Sequence, residues 1–132
     1  MKKALSTLCL MLVAVALVGA SALAQTTTGT RVKLQLGFLI DGSGSISASD
    51  FTTVRNALAT VLGDQTLVPR DGSIEVVVVQ FSDSRATTEV PATVLTGATI
   101  NTIQQSIRSM SQGGGGTPLW SGIDQIVSLM TT

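Results

Sequence analysis

The stretch Phe38-Leu39-Ile40-Asp41-Gly42-Ser43-Gly44-Ser45 holds the residues best suited to chemistry. It sets one carboxylate and two hydroxyls, Asp41, Ser43 and Ser45, at alternate positions directly after an apolar run. Glycine between them lets the backbone fold tightly enough to turn the three side chains inward together. Oxygen-only ligands suit a hard cation, and one carboxylate with neutral hydroxyls and retained waters fits Mg²⁺ better than an all-carboxylate Ca²⁺ cage. Nothing in the set selects zinc. The same residues also read as a solvated strand-to-helix turn, with Ser47 or Ser49 capping the helix that follows. The chain has no histidine, which removes a Ser-His-Asp triad, an imidazole base and any histidine metal ligand.

The elements that must position these residues follow from hydropathy periods. Val32 to Ile40 begins with alternation and ends in a continuous apolar run, the pattern of a central strand whose far end is covered on both faces. Phe51, Val54, Leu58, Val61 and Leu62 recur at helical spacing, closed by Gly63. Asp64 to Ser73, with Pro69 and the pair Asp71-Gly72, reads as a surface connection. Ile74 to Phe81, with its four valines, reads as a second buried strand, reached through a helix and so parallel to the first. The link at Ser82-Asp83-Ser84 is too short for a crossover and predicts a hairpin to an antiparallel strand, Ala86 to Leu95, with Asp83 and Arg85 solvated at the turn. Pro91 removes a ladder donor and places that strand at an edge. Ile100, Ile103, Ile107 and Met110 predict another helix, and Leu119, Ile123, Ile126, Val127 and Met130 a last one, with Trp120 near its start expected in the core. Between them lie Gly113 to Gly116, which serve either as a flexible link or to let backbone approach a ligand.

A chain leaving the end of a central strand passes through the crevice where open α/β sheets bind ligands. With that context, the sequence resembles the von Willebrand factor type A domain, also found as the inserted domain of integrins. The resemblance covers residues 32 to 132 and implies a doubly wound, mostly parallel open α/β sheet with one antiparallel edge strand, here truncated after the third helix. It implies a metal-ion-dependent adhesion site built on an Asp-x-Ser-x-Ser loop, a distant threonine and a further aspartate. Asp41, Ser43 and Ser45 match the loop, and Thr117, after the glycine run and before Pro118, matches the threonine. Thr117 also reads as a plain helix cap with proline at the first helical position. The further aspartate follows a fourth strand in the family and has no counterpart here, and Asp124, inside the last helical stripe, does not take its place. The implied cofactor is Mg²⁺ or another divalent cation such as Mn²⁺ or Ca²⁺. The implied partner is a protein offering an Asp or Glu carboxylate to the open position of the metal, and the chain is then a binding module and not an enzyme.

Two enzymatic readings compete. Gly42-x-Gly44-x-x-Ser47 imitates the phosphate loop of a nucleotide-binding α/β enzyme. Its third glycine is a serine, Asp41 would stand beside the pyrophosphate, and the second strand ends in Gln80-Phe81-Ser82 without an acidic ribose partner. A serine hydrolase would need Lys33 as base, at the opposite end of the first strand from Ser43 and Ser45.

The first residues carry an address. Lys2 and Lys3, an apolar core from Leu8 to Val18 and the small-residue site Ala22-Leu23-Ala24 have the layout of a secretory signal over residues 1–24, with cleavage before Gln25. The eleven-residue apolar core is too short to span a bilayer, which takes about 20 apolar residues. Residues 25–31 read as a threonine-rich linker, and 32–132 as the partial domain. The single cysteine, Cys9, lies in the signal, so the exported part has no thiol, as suits an oxidising compartment. Six basic and eight acidic residues remain after it, a balance that disfavours nucleic acid. The expected location is secreted, cell-surface or periplasmic, with no membrane span in the mature part.

Overall fold

The computed structural model describes residues 31–130. The secretory signal over 1–24 and the linker up to residue 30 lie outside the described residues. The described chain runs β1 (Leu34–Asp41), α1 (Ala48–Gly63), β2 (Asp71–Ser82), β3 (Arg85–Thr96), α2 (Ile100–Ser109) and α3 (Leu119–Met130). One mixed sheet has the order β1-β2-β3. β1 and β2 are parallel, from Leu34 opposite Ile74 to Asp41 opposite Phe81, and β3 returns antiparallel with Ala86 opposite Phe81.

The middle of β2 is a continuous apolar run because both its faces are covered there: Val76, Val77, Val78 and Val79 are fully buried. The strand period of two splits them. Val76 and Val78 join Phe51, Leu62, Ile103 and Ile107 in the core beneath α1 and α2, while Val77 and Val79 pack with Ile126 of α3 on the opposite face. Two glycines let α3 settle on the sheet. A Cβ on Gly37 would stand 2.5 Å from the Met130 sulfur, and one on Gly122 would stand 2.7 Å from Leu39 Cδ1. Parallel β1 and β2 joined through a helix, an antiparallel third strand and helices on both faces agree with the fold read from the sequence.

Several details depart from the periodicity reading. On α1 the buried line is Phe51, Ala59 and Leu62, with Leu58 partly covered, whereas Val54 and Val61 are nearly half exposed. At about 100° per residue both valines fall on the flank of that line. Gly63 belongs to the helix, and its Cβ-less backbone makes room for Gln104, whose Nε2 donates to Ala59 O at 2.7 Å. Asp71-Gly72 is not a turn but the start of β2, where Gly72 takes φ 83° and the ladder shifts register between Asp71 and Glu75. Helix α2 is as expected, with Ile100, Ile103, Ile107 and Met110 all buried. Trp120, expected in the core, is 76% exposed. The face of α3 on the sheet is set by Gly122 and Ile126, and a residue two positions before Gly122 points the other way.

Among the described residues the outer edges of β1 and β3 have no strand partner, so Pro91 lies on an edge strand as predicted, and β1 pairs on one side only. Its Ile40 is buried while Phe38 and Leu39 are partly covered. No described helix is long and apolar enough to cross a membrane.

Candidate functional site

Asp41 is the last residue of β1, at the end of the parallel pair where the chain must leave the sheet for α1. Gly42 N–H donates to Phe81 O at 2.9 Å, which carries the parallel pairing one residue past the strand. The chain then turns on a side chain: Asp41 Oδ1 accepts the Ser43 N–H at 2.8 Å. Ser43 is fully buried, and its Oγ lies 3.0 Å from Ser45 Oγ on the exposed side of the loop. The three residues singled out by spacing are therefore linked, carboxylate to amide and hydroxyl to hydroxyl, within one turn. Ser47 caps α1, its Oγ accepting the Asp50 N–H at 3.1 Å. Metal-loop candidates and helix cap are thus different serines.

The glycine run is not a free link. Gly114 N–H donates to Gly42 O and Gly44 N–H to Gly115 O, both at 2.9 Å, so the two loops pair like a short ladder. Gly114 and Gly115 take φ of 71° and 67°, which L side chains rarely adopt. A Cβ on Gly115 would stand 2.7 Å from Asp83 Cα. Asp83 itself has φ 54° at the hairpin tip and donates its N–H to Gly114 O at 2.8 Å. The hairpin expected to be merely solvated is a backbone wall of the site.

Two glutamines hold the arrangement. Gln112 Nε2 donates to Ser43 O at 2.9 Å and Ile46 O at 2.8 Å, tying the turn down from the α2–α3 segment. Gln80, only 3% exposed, accepts the Gly113 N–H on Oε1 and donates through Nε2 to Ser111 O and Glu89 Oε1. Burial raises the Glu89 carboxyl above its ordinary value, with the Gln80 hydrogen bond pulling the other way. Glu89 lines a polar groove of about 390 Å³ with Asp83, Arg85, Thr87 and Ser82 beside the glycine run. Sequence reasoning missed both glutamines. For Gln80 there was a signal, a neutral polar residue directly after four valines; for Gln112 there was none.

Thr117 follows the docked run and is exposed. Its carbonyl accepts the Leu119 N–H at 2.9 Å, and among the described residues its hydroxyl makes no hydrogen bond to Asp41, Ser43 or Ser45. Asp124 lies in α3 and is exposed. Among the described residues no three His, Cys, Asp or Glu side chains gather. The available donors are one carboxylate and hydroxyls, a set that fits a hard divalent ion keeping several waters and does not fit a soft metal.

Comparison with known proteins agrees with this architecture. No curated protein sequence matches the chain. Proximal thread matrix protein 1 of the mussel byssus superposes with a TM-score of 0.61 at 19% identity, over 78% of this chain and 26% of that one. The same protein with a zinc-occupied MIDAS motif gives 0.58 at 19% identity, over 73% and 24%. The von Willebrand factor domain of the type V pili tip protein of Porphyromonas gingivalis gives 0.53 at 18% identity, over 77% and 34%. This chain thus spans about a quarter of the mussel protein structure and a third of the pilus one. At these identities the likeness is one of fold. The sequence pattern of the von Willebrand factor type A domain matches residues 35–132, and the chain belongs to that family.

Proposed function

We propose that the chain is an exported binding module in which Asp41, Ser43, Ser45 and Thr117 hold Mg²⁺, or another divalent cation such as Mn²⁺ or Ca²⁺, for a carboxylate of a protein partner. The observation that carries this reading is the linked turn Asp41-Ser43-Ser45 at the end of β1, clamped from below by Gln112 and from the side by the glycine run. Family membership supports a protein-binding role, and a relative of the same fold has a metal-occupied MIDAS motif. Export rests on the signal over residues 1–24.

Bound there, the ion would supply an uncompensated positive charge. One carboxylate against two positive charges leaves the site attractive to an anion, because serine, threonine and water ligands are neutral. Ser43 and Ser45 would ligate directly, Asp41 would act directly or through a held water, and Thr117 would join when partner is engaged. Gly115, two residues before Thr117, accepts the Gly44 N–H of the loop, which supports including Thr117 in the set.

The geometry works against the phosphate-loop alternative. A phosphate cradle needs free backbone N–H groups. Here the amides of Gly42, Ser43, Gly44 and Ile46 already donate to Phe81 O, Asp41 Oδ1, Gly115 O and Ser43 O.

Calorimetric titration of Mg²⁺ into the full chain, wild type beside Asp41→Ala and Ser43→Ala, tests the reading. Both variants should weaken the metal, Asp41→Ala more, since it removes the one formal charge in the set. Equal affinity in all three proteins would reduce Asp41 to Ser45 to a hydrogen-bonded turn.

A further inference from the structure

Gln80 meets three of the segments that build the site without belonging to it. It stands opposite Ile40 in the β1–β2 register, one position from Asp41. Its Oε1 accepts the Gly113 N–H at 2.9 Å, and its Nε2 donates to Ser111 O and to Glu89 Oε1, each at 3.0 Å. The Gly42 backbone presses on the same carboxamide, since a Cβ there would lie 1.9 Å from Oε1. One side chain thus meets the Asp41–Ser45 loop, the start of the glycine run, and β3.

The partners leave the amide a single orientation. Ser111 O and a carboxylate only accept, and Gly113 N–H only donates, so Nε2 must face the first two and Oε1 the third. Ser111 O and Glu89, both on Nε2, together fix which end of the amide meets Gly113. The next residue, Gly114, pairs with Gly42, and Gly115 with Gly44. Anchoring Gly113 sets where that pairing begins, and Thr117 follows four residues later.

We propose that Gln80, oriented by Ser111 O and Glu89, is the positioning residue that holds the Thr117-bearing glycine run in register with the Asp41–Ser45 loop. Its consequence for metal affinity rests on the metal reading above; its consequence for loop register does not. An unanchored Gly113 lets the glycine run slide or fray, and an ion then has to order Thr117 as it binds.

The test uses the full chain with Gln80→Glu, Gln80→Met, and the exchanged pair Gln80→Glu with Glu89→Gln. The first readout, without metal, is amide hydrogen exchange at Gly44 and Gly114, neither of which Gln80 contacts by a hydrogen bond, against Val76 to Val79 as an internal reference for the folded sheet. The second is Mg²⁺ affinity by calorimetry. Each single variant should speed exchange at Gly44 and Gly114 and weaken Mg²⁺ by about tenfold, the equilibrium equivalent of one lost buried hydrogen bond. The exchanged pair should recover part of both. Its new carboxylate at position 80 still accepts the Gly113 N–H, and its new amide at position 89 donates to that carboxylate where wild type has the reverse. Unchanged protection at Gly44 and Gly114 in the single variants, or an exchanged pair no better than Gln80→Glu, would overturn the proposal. Wild type that binds no Mg²⁺ while exchange follows the expected pattern would sink the metal reading and leave the positioning role standing. Equal Mg²⁺ affinity in all proteins together with unchanged exchange would do the reverse.

Discussion

Gly42→Ala tests the packing of the site with a single methyl. Gly42 is buried, and a Cβ there would lie 1.9 Å from Gln80 Oε1, 2.6 Å from Cδ and 2.8 Å from Cγ. A free glutamine tip would simply swing aside. Gln80 is not free, because it is 3% exposed and hydrogen-bonded to Gly113, Ser111 and Glu89. Overpacking a filled interior costs about 1–3 kcal/mol. Displacing the carboxamide adds about 1 kcal/mol for each of two backbone hydrogen bonds lost. The sum, about 3–5 kcal/mol, is a large share of the roughly 5–15 kcal/mol that stabilises a domain. Gly44→Ala is the control, since its Cβ would meet no side chain, only backbone of Gly115 at 3.3 Å and of Gly114 at 3.9 Å, on an exposed turn. Its cost should stay within about 1 kcal/mol. Urea unfolding of the full chain, followed by circular dichroism, measures both. A Gly42→Ala protein within about 1 kcal/mol of wild type would refute the claim that Gln80 is held in place.

Three further outcomes are expected. Burial raises the Glu89 carboxyl above its ordinary 4.5, so the folded chain keeps that proton to higher pH than the unfolded chain. Stability from this group is then greatest in acid and falls as pH rises from 4.5 through the raised value, with Asp83 and Arg85 as the charged groups sharing its groove. Glu89→Gln should flatten that slope and match or exceed wild-type stability at neutral pH, as urea midpoints across the range will read; an unchanged slope contradicts this. Ser47→Ala removes the side-chain cap of α1 and should cost about 1 kcal/mol in the same assay, where Ser49→Ala costs little. Trp120→Ser should leave stability within about 0.5 kcal/mol, because the indole is exposed, and a loss of several would return it to the core.

The strands were legible because burial on both faces leaves a continuous signature, Val76 to Val79, and burial on α2 leaves isoleucines at 100, 103 and 107. α1 was less so: an exposed valine and a buried one look alike, and Ala59, the best-buried small residue of that helix, carries no hydropathic emphasis. Trp120 misled for a related reason, since residue type records average burial and not which face a short helix turns to the sheet. Asp41, Ser43 and Ser45 were readable as a unit because glycine alternation shortens the path between them. Their support was not, because Gln80 and Gln112 act through backbone groups far away in sequence. A glycine run announces close approach without naming what approaches; here it is the chain's own Asp83 and the loop at Gly42 and Gly44.

The central claim is that Asp41, Ser43 and Ser45 present a divalent ion to a carboxylate. Crystals of the full chain grown with Mn²⁺ and an aspartate-bearing peptide, measured at the manganese absorption edge, test it most directly. One anomalous peak is expected, ligated by the Ser43 and Ser45 hydroxyls, with Asp41 bound directly or through a water and the peptide carboxylate on the open position. A crystal with no peak there, and Ser43 Oγ still paired only with Ser45 Oγ, would contradict it.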